Sequence, residues 1–169
     1  MTSKTNFKKL INTIVEGIDD VKGNEISLLD LRDLENRVCD YFIICDGNSN
    51  TQVSAIINSV TKKVSKKLKD KPWGIEGAEN AEWILLDYID VVVHVFQKSK
   101  REFYDLEGLW GDAKKIELKK SNEKSKKNTK ENNLQPMDIW FNYTSLSVIK
   151  HIFRINIPKL RYNNSIRFF

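Results

Sequence analysis

The sequence predicts an α/β domain, with one mixed sheet of about five strands and helices packed on it. Three observations carry that expectation. Apolar residues recur at helical spacing in two separate segments, and several further segments are short apolar runs of strand length. After Ala113 the patterning stops, and Lys, Asn, Glu and Ser take over.

The expected order is α-β-β-α-β-β-β-α plus an extension. Phe7, Leu10, Ile11, Ile14, Val15 and Ile18 follow the i, i+3, i+4, i+7 spacing of an amphipathic helix, which Lys22, Gly23 and Asn24 end. Glu25 to Leu31 reads as a strand. Asp40 to Cys45, with Tyr41 to Ile44 unbroken, reads as a buried one closed by Gly47. Ser49 supplies an N-cap with Gln52 at the capping-box position, and Val53, Ile56, Ile57, Val60 and Val64 give a second helix its apolar face as far as about Leu68. Pro72 to Gly77 is a short strand. Glu82 to Tyr88 and Val91 to Gln97 are joined so closely around Ile89 that they predict an antiparallel hairpin. Arg101, Phe103, Leu106 and Trp110 then place one short closing helix.

These elements define a domain over residues 1–113. Residues 114–135 read as a disordered linker, because Lys, Glu, Asn and Ser cannot bury enough apolar surface to offset the entropy of ordering. Residues 136–169 hold aromatic and β-branched side chains without a clean period. They read as a weakly ordered tail: a binding arm, a weak helix near Ile139 to Phe153, or a segment with no selected role. Met1 is followed by a polar stretch, and no apolar run is long enough to span a membrane, so the expected compartment is the cytoplasm. Cys39 and Cys45 lack C-x-x-C spacing and read as reduced thiols packed as small hydrophobes.

The net charge of +5 divides unevenly. Residues 1–113 carry 15 Lys+Arg against 19 Asp+Glu, hence −4, whereas residues 114–169 carry 13 against 4, hence +9. A mildly acidic domain seeks a basic partner, and the basic balance belongs to the tail.

The most informative stretch is Pro72 to Gln97, where Glu76, Glu79, Glu82, Asp87 and Asp90 occur without any Lys or Arg and Trp83 sits among them. Trp83 is either a core side chain beside an ordinary solvated edge or the anchor of an interface on an open sheet face. His94 lies mid-strand and reads as structural, since no Ser or Cys stands at a triad spacing. Lys62, Lys63, Lys66, Lys67, Lys69 and Lys71 form either a solvated helix end or a patch that brushes phosphate backbone.

A strand, the Gly47-Asn48-Ser49 turn, a helix and acids on later strands also raise the possibility of a nucleotidyltransferase-like, metal-dependent enzyme. Such a site needs two carboxylates on one strand face, hence two residues apart. Asp87 and Asp90, like Asp30 and Asp33, are three apart. No catalytic set, metal or cofactor is therefore expected.

Four motifs in order carry a family resemblance: Asp40-Tyr41-Phe42-Ile43-Ile44-Cys45, Glu82-Trp83-Ile84-Leu85-Leu86-Asp87-Tyr88, Asp90-Val91-Val92-Val93-His94-Val95-Phe96-Gln97 and Arg101-Glu102-Phe103-Tyr104-Asp105-Leu106-Glu107. Over roughly residues 5–113 the chain resembles the ribosomal silencing factor (Iojap) family. That resemblance implies a nucleotidyltransferase-like fold without catalytic equipment. It also implies a protein that binds large-subunit ribosomal protein fourteen, blocks joining of the small subunit and represses translation. Glu76, Trp83, Asp87, Tyr88, Asp90 and His94 stand at or beside motif positions, and the resemblance implies for them a docking surface. A peripheral contact with ribosomal RNA and a homodimer through an uncovered sheet edge are further partner expectations. The sequence departs from the family at Asn48, where Thr is common, and at Ile89, where Gly is common. A β-branched residue at a turn needing φ > 0 would aim Asp87 and Asp90 differently.

Overall fold

The computed structural model describes residues 4–35 and 37–118. In chain order the elements are α1 (Lys4–Asp19), β1 (Asn24–Asp30), β2 (Tyr41–Gly47), α2 (Asn50–Leu68), β3 (Gly74–Glu76), β4 (Trp83–Asp87), β5 (Val91–Gln97), α3 (Lys98–Tyr104), α4 (Leu106–Leu109) and β6 (Lys114–Ile116). The strands form one six-stranded sheet in the order β3-β4-β5-β2-β1-β6. Only β2 and β5 run parallel, Tyr41 beside Val91 through Gly47 beside Gln97, and the other pairs are antiparallel. β2 and β5 are apolar along most of their length because both of their faces are covered.

α1 and α2 pack on each other and on one sheet face, where Ile14, Ile18, Ile56, Val60 and Val64 meet Ile43, Cys45, Ile84, Val93 and Val95. The two helices approach closely at Gly17, where a Cβ would stand 2.9 Å from the Cα of Val60. Only glycine fits there. Ser49 caps α2 as its sequence position predicts, its hydroxyl accepting from the Gln52 amide at 3.2 Å. The Gln52 side chain accepts from the Asn48 amide at 2.8 Å and donates to the Lys22 carbonyl at 2.9 Å, tying the start of α2 to the turn after α1.

The opposite face carries a second apolar cluster in which Leu29, Leu31, Phe42, Ile44, Leu85, Val92 and Phe96 are covered by Cys39, Leu106 and the half-buried Leu34, Val38, Tyr104 and Trp110.

Three expectations need correction. The sheet has a sixth strand, β6, at the start of the span read as a linker. β6 pairs with β1, satisfying backbone groups that an open edge would leave bare, and Ile116 and Leu118 pack against the larger core. Their alternation with Glu117 is a period-2 signal hidden inside a charged segment. Second, the closing helix is two helices. Asp105 adopts a left-handed conformation (φ 38°) between them, and its carboxylate accepts from the Gly108 amide at 3.1 Å to cap α4. Third, Phe103, expected on the apolar face of that helix, is exposed. Linker residues 119–135, and the tail with its expected helix, lie outside the described residues.

Candidate functional site

Strand register decides which of the predicted site residues share a surface. Directly paired residues in a sheet project on the same side, so the row Glu76, Leu85, His94, Ile44 crosses four strands on one face. Trp83 beside Phe96 forms the row on one side of it, and Asp87 beside Val92 and Phe42 forms the row on the other. Glu76, Trp83, Asp87 and His94 therefore belong to the face opposite α1 and α2. Tyr88 lies on the other face and packs in the larger core, and Asp90 lies at the hairpin end.

The expectation that Trp83 stands on an open sheet face is not met. Trp83 is 7% exposed, stacks on Phe96 with ring centroids 4.7 Å apart and leans on Tyr104 at 5.0 Å. Its indole N–H donates to His94 Nδ1 at 3.2 Å. His94 is fully buried, and burial pushes its pKa down to about 3. It is neutral near pH 7, and because Nδ1 accepts, Nε2 carries the proton. This imidazole packs edge-on against Phe42 at 4.6 Å and works as a structural acceptor.

Asp87 is buried too, with its carboxylate turned onto its own backbone, Oδ1 accepting from the Ile89 amide at 2.6 Å. The turn then closes when the Asp90 amide donates to the Tyr88 carbonyl at 2.9 Å, which centres a three-residue turn on Ile89 at φ 71°. Ile89 thus keeps the left-handed turn that glycine would favour. The Asp90 carbonyl accepts from the amides of Asp40 and Tyr41, both at 3.0 Å, anchoring the hairpin end to the start of β2. Burial raises the Tyr88 phenol above its ordinary pKa. Of the six predicted residues, Trp83, Asp87, Tyr88 and His94 are buried, and Glu76 and Asp90 are half-buried.

The side chains that are open to solvent here are ones sequence reasoning missed. Trp73 is 81% exposed, Ile75 is half exposed and Ile89 is 61% exposed. Trp73 enters the edge strand β3 with its amide donating to the Asp87 carbonyl at 2.6 Å, so hairpin and edge are one unit. The signal was available: a tryptophan between Pro72 and Gly74 has no element behind which to hide. A smaller exposed pair, Phe103 and Leu109, lies on α3 and α4.

The carboxyl ends of the parallel strands β2 and β5 are where an α/β enzyme of this topology would hold a ligand. Asp46 stands there, and its carboxylate is engaged. Arg101 Nη1 donates to Asp46 Oδ2 at 2.8 Å and to the Glu25 carbonyl at 2.6 Å, while Nη2 reaches Ser27 Oγ at 3.2 Å and pairs with Glu107. Asp30 is likewise held by Arg32, Oδ1 accepting from Nε at 2.8 Å, and that hydrogen bond keeps its pKa below the usual carboxylate value. Cys45, next to Asp46 on β2, is buried, which raises its thiol pKa. Among the described residues, no group of three or more His, Cys, Asp or Glu side chains could hold a metal ion.

A mixed-sheet domain in which Asp30, Asp46 and Asp87 are each engaged by its own fold, and which exposes Trp73, Ile75 and Ile89 around one sheet edge, presents a surface on which a partner can bind. The comparisons supply its family. The family model described as "Ribosomal silencing factor during starvation" matches residues 4–138, beyond the 113 expected from the motifs. The chain belongs to the ribosomal silencing factor family. It is 41% identical over 111 residues to the ribosomal silencing factor RsfS of Halalkalibacterium halodurans, covering 66% of this chain and 93% of that protein. To the Bacillus subtilis RsfS it is 40% identical over 114 residues, covering 67% and 94%. A chloroplastic Iojap protein of Zea mays is 35% identical over 106 residues, 63% of this chain and 45% of that protein. Among solved structures, a crystal structure of a Chromobacterium violaceum protein superposes with a TM-score of 0.58 at 39% identity, covering 62% of this chain and 85% of that one. One from Bacillus halodurans gives 0.56 at 39%, covering 66% and 99%. A role in silencing ribosomes follows from this membership. No described helix is long and apolar enough to cross a membrane.

Proposed function

We propose that this domain acts in the cytoplasm by binding rather than catalysis: it docks on the large ribosomal subunit through ribosomal protein fourteen, obstructs joining of the small subunit and so represses translation. Family membership supports the ribosome as target. The single observation that carries the docking reading is the β3 edge, where Trp73, Ile75 and Ile89 expose apolar surface within a stretch that contains five acids and no Lys or Arg. Apolar anchors give residence time on a basic partner, and the acids raise the rate of encounter.

In this proposal Trp83, Asp87, Tyr88 and His94 act beneath the surface by holding the hairpin, and Glu76 and Asp90 flank the contact. The docking unit includes β6 and so reaches beyond residue 113. The linker and tail beyond it are not needed for docking. An open β3 edge would also allow a homodimer, which competes for the same surface.

The test is sedimentation of the full chain with isolated large and small subunits, followed by a subunit-joining assay. Binding to large subunits alone, with fewer joined ribosomes, is expected. Equal pelleting with both subunits, or unimpaired joining at saturating protein, would remove the reading. Calorimetry with nucleotide and Mg²⁺ addresses the enzymatic alternative, which the Asp46–Arg101 pair disfavours, and no binding heat is expected.

A further inference from the structure

The six lysines between residues 62 and 71 are not one patch. Lys63 and Lys67 turn toward α1, Lys63 pairing with Asp20 and Glu16 and Lys67 with Glu16. They staple the two helices together. Lys62, Lys66 and Lys69 recur at i, i+4 and i+7, are exposed, and form no ion pair with any described residue. With Thr51 and Asn58, Lys62 and Lys66 make the ridge of α2 directly opposite its buried face of Val53, Ile57, Val60 and Val64, and Lys69 follows as the left-handed residue that ends the helix. α2 contains no Asp or Glu at all, and the one acid close by in sequence is Asp70.

Such a ridge is unfavourable for an isolated helix, because like charges four residues apart repel. The helix dipole compensates cations only in the last turn, which leaves Lys62 out. A row of bound phosphates would relieve both costs. We propose that Lys62, Lys66 and Lys69 hold the phosphodiester backbone of ribosomal RNA beside the docking site. This rests on the large-subunit docking proposed above.

Lysine is a point charge suited to phosphate, and the ridge has no arginine fork or aromatic ring with which to read a base. The contact is therefore electrostatic and indifferent to sequence. Lys62 and Lys66 stand about 6 Å apart along the helix axis and Lys69 lies just past its end, so the three cations are spaced to meet separate phosphates. Only three residues lie between Lys69 and Trp73, at most about 14 Å of extended chain, so ridge and docking edge engage the same target together.

The experiment is a salt titration of large-subunit binding by the full chain and by a Lys62→Gln, Lys66→Gln, Lys69→Gln variant. Each phosphate contact adds about 0.7–0.9 to the slope of log affinity against log salt, so the variant should lose about 2 units of slope. Its deficit in affinity relative to the parent should be about 16-fold larger at 50 mM salt than at 200 mM, with an unchanged melting curve. A Lys→Arg triple should restore the slope, and poly-uridylate should compete better with the parent than with the variant. An unchanged slope with intact subunit binding overturns this inference and leaves the docking reading standing. Competition by polyglutamate but not by poly-uridylate overturns it in favour of an acidic protein. A parent chain that does not bind large subunits overturns both.

Discussion

Trp73 and Trp83 stand ten positions apart in the same acidic stretch, and the fold treats them oppositely. Trp83 is on β4, one strand in from the edge, where Phe96, Tyr104 and His94 close around it. Trp73 is at the entry to the edge strand and has 81% of its surface open. Residue type and local charge do not separate the two. Position in the sheet does, because an inner strand has neighbours on both sides and an edge strand on one. The acids divide the same way: Asp87 is consumed by its own turn, while Glu76 and Asp90 stay at the surface.

The largest expected effect tests this contrast directly. Trp83→Ala removes a buried indole and the acceptor role of His94, and should cost about 3–5 kcal/mol of stability. Trp73→Ala should leave the melting curve within about 0.5 kcal/mol of the parent, as exposed substitutions do. On large subunits the order reverses, with Trp73→Ala weakening binding by about 2 kcal/mol if it is an anchor. Calorimetric melts followed by subunit binding would check both. A well-folded Trp83→Ala protein, or a Trp73→Ala protein that binds as the parent does, would break the comparison.

What the sequence revealed follows the same line. Strands and helices whose burial is regular were legible: α1, α2, β2 and β5 stand within a residue or two of where periodicity puts them. β6 was missed because a three-residue strand of two lysines and one isoleucine satisfies a sheet edge without looking apolar. The break at Asp105 was missed because a left-handed Asp leaves no composition signal. At the candidate site, the close spacing of β4 and β5 made the hairpin legible, but the motif positions could not tell the side chains that shape it from those that face out. That distinction depends on pairing register and on which strand ends the sheet, and neither is local.

The buried half of the contrast also predicts a pH dependence. His94 has its pKa pushed down from 6.5 to about 3. The unfolded chain takes up a proton near the ordinary value and the folded one does not, so stability is fully present above pH 6.5 and is lost as the pH falls toward 3. The slope should approach about 1.4 kcal/mol per pH unit. Between about pH 6.5 and 5 most carboxylates are still ionised, so the window isolates the imidazole. Denaturant unfolding at pH 7, 6 and 5 should show the loss in the parent and a flat profile in His94→Gln, whose amide can still accept from Trp83. A parent profile as flat as that of the variant would contradict the burial of this group.

The smallest effect sharpens the exposed half. Ile89 is a β-branched residue held at φ 71° in the hairpin turn, a conformation that costs an L-residue about 1–2 kcal/mol relative to glycine. Glycine at this position loses more backbone entropy on folding, which returns about 0.5–1 kcal/mol of that gain. Ile89→Gly should therefore stabilise the domain by about 0.5–1 kcal/mol. The same change removes one of the three apolar side chains exposed near the β3 edge. If that edge is the docking surface, Ile89→Gly raises the melting temperature and weakens large-subunit binding together, an opposition that no purely structural role produces. A variant that gains stability and binds as tightly as the parent would confine the contact to Trp73 and Ile75.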